Sequence, residues 1–211
     1  MPSSPVGPMR KRLRRCEAPG AVRFITFSSH KRLPVLDLES RRDMLRSRLA
    51  AAALKHRVHV IAWVIMPEHM HLLLRPTTDV PLWKMLESFK KYASAALLAH
   101  MIACRDLLLE HMTRPDGRYR VWQKGGGFDR NVRSVGEMQR EIAYIHSNPV
   151  KRGLVEHPCD WAWSSARWWV ARFKGAAQDA ADVPCDWPPG DPRAWAAWRG
   201  FLKRPAEVGC S

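Results

Sequence analysis

His69 and His71 stand two residues apart in the run WVIMPEHMHLLLRP, which extends from Trp63 to Pro76. In an extended strand, residues two apart share a face, so both imidazoles look one way while Met70, Leu72 and Leu74 look the other. Two imidazoles on one face are two ligands for one metal ion. The competing reading is a pair of solvent-facing or packing histidines, which strand period alone does not exclude. A second group follows helical spacing. Glu137, Glu141, Tyr144 and Asn148 step by four, three and four, which makes Tyr144 and Asn148 neighbours one turn apart. A tyrosine on a helix is ordinarily a packing residue, so this group needs context before it implies chemistry.

The elements that must position these residues are legible around them. Val58 to Ile65 is β-branched and apolar, and Met66-Pro67-Glu68 is short enough to fold it back against the His strand as an antiparallel hairpin. Val22 to Ser28 has the content of a first strand. Ser40 to Lys55 carries Met44, Leu45, Leu49 and Ala52 at helical spacing, so the order begins βαββ. Pro81 to Ala99 reads as a second helix capped by Asp79, with Leu82, Leu86, Phe89, Ala93 and Ala96 as its buried stripe. Lys84 and Lys91 fall on another face of it, either simply solvated or forming a DNA-facing track.

Arg118 to Gln123 is a candidate short strand. Gly125-Gly126-Gly127 reads as a flexible loop that lets Phe128-Asp129-Arg130 approach the site, since the G-x-x-x-x-G-K-[ST] pattern of a phosphate cradle is missing. Ser134 and Glu137 match a capping box that opens the tyrosine helix, and Pro149 is expected to stop it at Asn148. Val135, Met138, Ile142 and Ile145 would face inward. Lys151 to Ser165 is turn-rich, with Trp161 and Trp163, and farther on Trp195, Trp198 and Leu202 could share one helical face.

Composition narrows the partner. The chain of 211 residues has a formal charge of +15, from 35 basic and 20 acidic side chains, and that excess favours a polyanion through release of condensed counterions. Ten tryptophans offer surfaces on which unpaired bases stack, so nucleic acid is the first candidate. No apolar run reaches the ~20 residues of a membrane span, and no membrane partner is expected. Five scattered cysteines without a C-x-x-C pair suggest free thiols in a cytoplasmic protein.

Two blocks together carry a family resemblance. MPEHMHLLL (Met66 to Leu74) resembles the His-hydrophobic-His signature of the HUH single-tyrosine transposases, and YIHSNPVKRGLVEHPCDWAWSS (Tyr144 to Ser165) resembles their tyrosine-helix signature. Trp122-Gln123 and Phe128-Asp129-Arg130 fit the link between the blocks, and WPPGDPRAWAAW is similar to the end of many members. The nearest branch is that of the REP-associated tyrosine transposases. The resemblance spans roughly residues 18 to 200, and its fold, an α+β ferredoxin-like (RRM-like) antiparallel sheet with helices packed on it, agrees with the element order. It divides the chain into a basic, disordered arm over 1–17, a catalytic domain over 18–165 and a Trp/Pro-rich extension over 166–211 that docks on the core.

The resemblance further implies a nucleoid-associated enzyme that cuts and rejoins single-stranded DNA beside palindromic hairpins. Tyr144 would be the nucleophile, leaving a 5′-phosphotyrosine, and His69, His71 and Asn148 would hold Mg²⁺ or Mn²⁺. The proton of the phenol would pass to His146, Glu141 or bound water. No nucleotide cofactor is implied. Arg130, Lys151 and Arg152, with Lys84 and Lys91, are the candidate DNA contacts, and a monomer is favoured over a dimer. The alternatives are a non-catalytic, domesticated hairpin-binding protein and a nuclease that activates water.

Overall fold

The structure is a computed structural model that describes residues 20–77, 81–125, 127–173 and 183–186. The basic arm, Asp79, Trp195, Trp198 and Leu202 lie outside the described residues. The elements run β1 (Val22–Ser28), α1 (Glu39–Lys55), β2 (Val58–Ile65), β3 (His69–Pro76), α2 (Leu82–Ala103), α3 (Leu108–Met112), β4 (Phe128–Val132), α4 (Val135–Lys151) and α5 (Ala166–Phe173). The four strands form one antiparallel sheet in the order β2-β3-β1-β4. Two interleaved βαβ units, β1-α1-β2 and β3-α2-β4, produce that order, which is the ferredoxin-like topology expected from the sequence.

The pleat sorts the chemistry. Strand register pairs Thr26 of β1 with His71 on one side and with Phe128 on the other, while Ser28 pairs with His69 and Phe24 with Arg130. These side chains share the face on which α4 lies, where the Tyr144 ring centroid is 5.1 Å from that of His71. The opposite face, with Ile25 and Phe27, is covered by α2, whose Phe89 ring is 5.9 Å from Phe27. Helix α1 packs beside α2. Thus the face under α2 is mainly apolar, apart from the buried Arg23–Asp129 ion pair, and the α4 face carries the polar groups of the cleft.

Several local expectations change. The inward line of α2 is Leu82, Met85, Phe89, Ala93, Leu97 and Met101, while Leu86 and Ala96 are half-buried. The helix runs beyond Ala99 to Ala103, so its core contact continues to Met101. Its N-cap is Pro81, without a side-chain cap bond. Arg118 to Gln123 forms no strand: Tyr119 and Trp122 each make one isolated bridge, to Thr113 and Ser29. The second strand beside β1 is β4, Phe128–Val132, a segment for which the sequence predicts no strand. Gly127 makes that approach feasible. Its φ is +72°, and a Cβ there would lie 2.1 Å from the Thr26 carbonyl oxygen, so only glycine fits.

Pro149 lies within α4 and does not end it. Proline in the last turn removes a single donor, and the chain then closes by a different device. Gly153, at φ +66°, donates to the Val150 carbonyl at 2.9 Å, and Leu154 donates to the Pro149 carbonyl at 2.9 Å. This pair of bonds is a Schellman motif, which a left-handed glycine permits. Half of the expected capping box is present: Glu137 N–H donates to Ser134 Oγ at 3.1 Å, while the Glu137 carboxylate accepts from Arg133 N–H at 2.7 Å, one residue before the cap.

The outer edge of β2 is covered, which matters because an open edge is a template for wrong pairing. Ile65 N–H donates to the Trp163 carbonyl, Ser165 N–H to the Trp63 carbonyl and Asp186 N–H to the Val60 carbonyl. The indoles of Trp161 and Trp169 donate to the Ile65 and Ile61 carbonyls. Among the described residues, no helix is long and apolar enough to cross a membrane.

Candidate functional site

The hairpin turn fixes where the histidines begin. Met66 N–H donates to the His69 carbonyl at 2.8 Å, and Ser29 and Leu36 N–H groups strap the Glu68 and Pro67 carbonyls from outside. From that start, the strand period brings both imidazoles to one face, with His69 Nε2 and His71 Nε2 3.0 Å apart. Their other nitrogens are occupied. His71 Nδ1 lies 2.7 Å from Thr26 Oγ1, and His69 Nδ1 lies 3.1 Å from Glu68 Oε1. Outer partners on Nδ1 fix ring orientation and leave both Nε2 atoms turned toward a common point.

Burial keeps the rings neutral. His69 and His71 are about 5% and 4% exposed. Loss of water, followed by the nearby His69 and Arg32, pulls the His71 pKa down to about 3. Burial also lowers His69, against the pull of the Glu68 carboxylate. A neutral imidazole keeps the lone pair that a cation requires. For Glu68, burial works against the charge, yet the hydrogen bond from Arg152, His69 and the bond from Arg32 hold its pKa below the usual carboxylate value.

Helix α4 brings the second group over the histidines. Tyr144 is 41% exposed, and its ring meets both His71 and Phe24 edge-on. Asn148 is 8% exposed, and its amide nitrogen donates to the Tyr144 carbonyl at 3.0 Å. That bond leaves the amide oxygen free of the Tyr144 carbonyl, in the same cleft as His71. The histidines, Tyr144 and Asn148 therefore line one cleft of about 680 Å³, together with Arg32, Arg130, Arg140, Glu141 and Arg152. Two neutral imidazoles beside an amide oxygen make a mixed N/O donor set for a divalent ion.

The remaining sequence candidates separate clearly. Arg130 lines the cleft but is shared by Glu137 and Glu141. Arg152 lines it too, and the Lys151 ammonium lies 5.2 Å from the Tyr144 ring centroid. Lys84 and Lys91 are exposed on α2, the helix covering the opposite face of the sheet, and do not line the cleft. His146 is fully buried, and its Nε2 is 2.8 Å from Ser165 Oγ, behind α4. It faces away from Tyr144 and cannot take the proton, which corrects that expectation. Glu141 remains in the cleft.

Sequence reasoning missed Thr26, Glu68 and Arg32. Glu68 had a local signal, a carboxylate adjoining the His pair, whereas Thr26 and Arg32 come from segments far away in the chain.

Comparison with known proteins adds an independent line. The profile of the family described as "Transposase IS200 like" matches residues 22–126. A REP-associated tyrosine transposase from Escherichia coli (strain K12) is 26% identical over 170 residues, covering 81% of this chain and 91% of that protein. Among solved structures, a REP-associated tyrosine transposase bound to a REP hairpin superposes with a TM-score of 0.59 at 25% identity. That match covers 84% of this chain and 93% of the other.

Proposed function

Since the chain belongs to the IS200-like transposase family, we propose that it cuts and rejoins single-stranded DNA next to palindromic hairpins through Tyr144. The observation that carries this reading is the meeting of Tyr144 with the His pair: a half-exposed phenol 5.1 Å, ring to ring, from a buried neutral imidazole in one open cleft. Tyr92 and Tyr119 are as exposed as Tyr144, and what sets Tyr144 apart is its place in the cleft beside the His pair. Here the ring edge rests on Phe24 and His71 and the rest stays open to a substrate.

The phenol oxygen of Tyr144 attacks phosphorus, a Tyr O–P bond forms, and the bond from phosphorus to the 3′-oxygen breaks. The free 3′-oxygen takes a proton from solvent. Because phosphate remains esterified on Tyr144, a 3′-OH can later displace the phenol, and strand transfer requires no nucleotide cofactor. A phenol has a pKa near ~10, so its proton must leave during attack. Glu141, one helical turn before Tyr144 and in the same cleft, takes it directly or through water.

His69, His71 and Asn148 would hold the divalent ion, which would polarise the scissile phosphate and offset its developing charge. The residues themselves do the positioning. Thr26 and Glu68 orient the imidazoles, Asn148 is held to the Tyr144 carbonyl in the cleft that His71 also lines, and the Lys151 ammonium offers a positive charge near the phenol. The pronounced basic excess supports binding of the hairpin.

The test incubates the purified protein and its Tyr144→Phe variant with labelled hairpins from the DNA flanking its gene, in Mg²⁺ or Mn²⁺, and resolves the products under denaturing conditions. A labelled protein band in the wild type alone is the expected result. Cleavage without that band would replace the reading by water activation. Binding with no cleavage of any flanking palindrome would replace it by a domesticated hairpin binder.

A further inference from the structure

Beside the His pair lies a cluster built from three distant segments. Arg32 comes from the turn after β1, Glu68 from the β2–β3 hairpin, and Arg152 from the C-cap of α4. Both guanidinium groups and His69 converge on a single oxygen: Glu68 Oε1 is 2.9 Å from Arg32 Nη2, 2.7 Å from Arg152 Nη1 and 3.1 Å from His69 Nδ1. The Glu68 side chain is 8% exposed, whereas those of Arg32 and Arg152 are 59% and 49% exposed. One buried carboxylate thus holds two cations at the mouth of the cleft.

The charge does not close. Two positive groups stand against one negative group and a neutral histidine, which leaves an uncompensated positive charge. Each arginine contacts Glu68 Oε1 through one terminal nitrogen, and a guanidinium has five N–H donors in all. The unmatched fork is the geometry that pairs with phosphate oxygens. Arg130 gives the contrast within the same cleft, because two carboxylates take its charge.

The turn carrying Arg32 is held in an unusual shape. Lys31 and Arg32 have φ of 53° and 55°, a region that residues with a side chain rarely adopt. Such a conformation persists when its surroundings over-determine it. Here His30 N–H donates to the Val121 carbonyl at 2.7 Å, and Lys31 N–H donates to Gln123 Oε1 at 3.0 Å.

We propose that Arg32 and Arg152, preset by Glu68, form a clamp for one phosphodiester of the single strand on the His69 side of the cleft. This rests on the DNA-processing reading above and adds a phosphate subsite to it. Glu68 is then a positioning residue with two duties, orienting His69 and holding two like charges together. The clamp acts on the single strand entering the cleft and not on the hairpin stem.

The test measures binding in a Tyr144→Phe background, where no cutting interferes. The probe is a fluorescein-labelled hairpin with a single-stranded tail copied from the DNA flanking the gene, in which neutral methylphosphonates replace the tail phosphates one at a time. Arg32→Ala and Arg152→Ala should each weaken binding by on the order of ten-fold and flatten the salt dependence by about 0.7 in log–log slope. One methylphosphonate position should cost about as much with the clamp intact and almost nothing in Arg152→Ala, the signature of a shared contact. Arg152→Lys should keep the salt slope and still bind more weakly, because the fork is lost.

Unchanged salt slopes in both alanine variants would overturn the clamp. So would methylphosphonate effects that simply add to those of the variants. Melting temperatures confirm that each variant is folded, as expected for two half-exposed arginines. A coupled phosphate in protein whose intact Tyr144 forms no adduct removes the proposed chemistry and leaves the clamp standing.

Discussion

His71 and His146 are alike by chemistry and unlike by surroundings. Both are buried, and for both, burial first of all drives the pKa to about 3. His71 stands against a second imidazole, with Thr26 behind it and an open cleft in front. His146 has Ser165 Oγ at 2.8 Å and the Trp169 ring at 6.4 Å, with its Nδ1 buried and unpartnered. A lowered histidine pKa therefore marks burial, and only convergence on a cleft marks a site. His146 instead ties α4 to the segment that covers the β2 edge, because Ser165 Oγ also accepts from Trp63 N–H at 3.0 Å.

The contrast can be broken by exchanging the roles. His71→Ala should cut DNA cleavage by more than about 100-fold and remove Mn²⁺ binding, measured by titration calorimetry, in a protein that stays folded with a stability loss comparable to that of His146→Ala, since Thr26 also loses its partner. Thr26→Val keeps the shape of β1 but removes the partner of His71 Nδ1, and should weaken Mn²⁺ binding by about ten-fold or more. Gly127→Ala should cost about 1–3 kcal/mol in urea unfolding from backbone strain alone, and more as the Thr26 carbonyl is displaced. Its activity should fall with it, since Thr26 supports the site.

The His146 side should behave in the opposite way. His146→Ala leaves the Ser165 hydroxyl short of a partner and should cost about 1–3 kcal/mol of stability, with metal affinity of the folded protein retained. The pH dependence has a definite sign. The native His146 refuses a proton that the unfolded chain accepts below its ordinary value of 6.5, so full stability is present above pH 6.5 and is lost as pH falls toward 3. His146→Gln should flatten that acid limb in denaturant titrations between pH 7 and 4.

How much of this was legible in the sequence depends on range. The strand period put His69 and His71 on one face, and the capping box placed the start of α4, because both signals act within four residues. The helical steps set Tyr144 and Asn148 one turn apart and Met138, Ile142 and Ile145 inward, while Val135, expected with them, is only half-buried. β4 was hidden because Phe128–Val132 is mostly polar at its centre, and its place depends on pairing with Val22–Thr26 more than a hundred residues earlier. The end of α4 departs from the stop expected at Asn148 because a proline is tolerated in the last turn, and the left-handed φ of Gly153 is what closes the helix. The clamp residues carry no shared local pattern at all, since only the fold brings Arg32, Glu68 and Arg152 to one oxygen.

The most direct test of tyrosine transfer uses two hairpin substrates, one labelled on the 5′ side of the cut and one on the 3′ side, incubated with wild-type protein and Mn²⁺. The covalent band is then digested and its peptides are mapped by mass spectrometry. The expected result is an adduct carrying only the 3′-side label, joined through a 5′-phosphate to the peptide that contains Tyr144. An adduct with the other label, a linkage at another residue, or cleavage that leaves no adduct would contradict it.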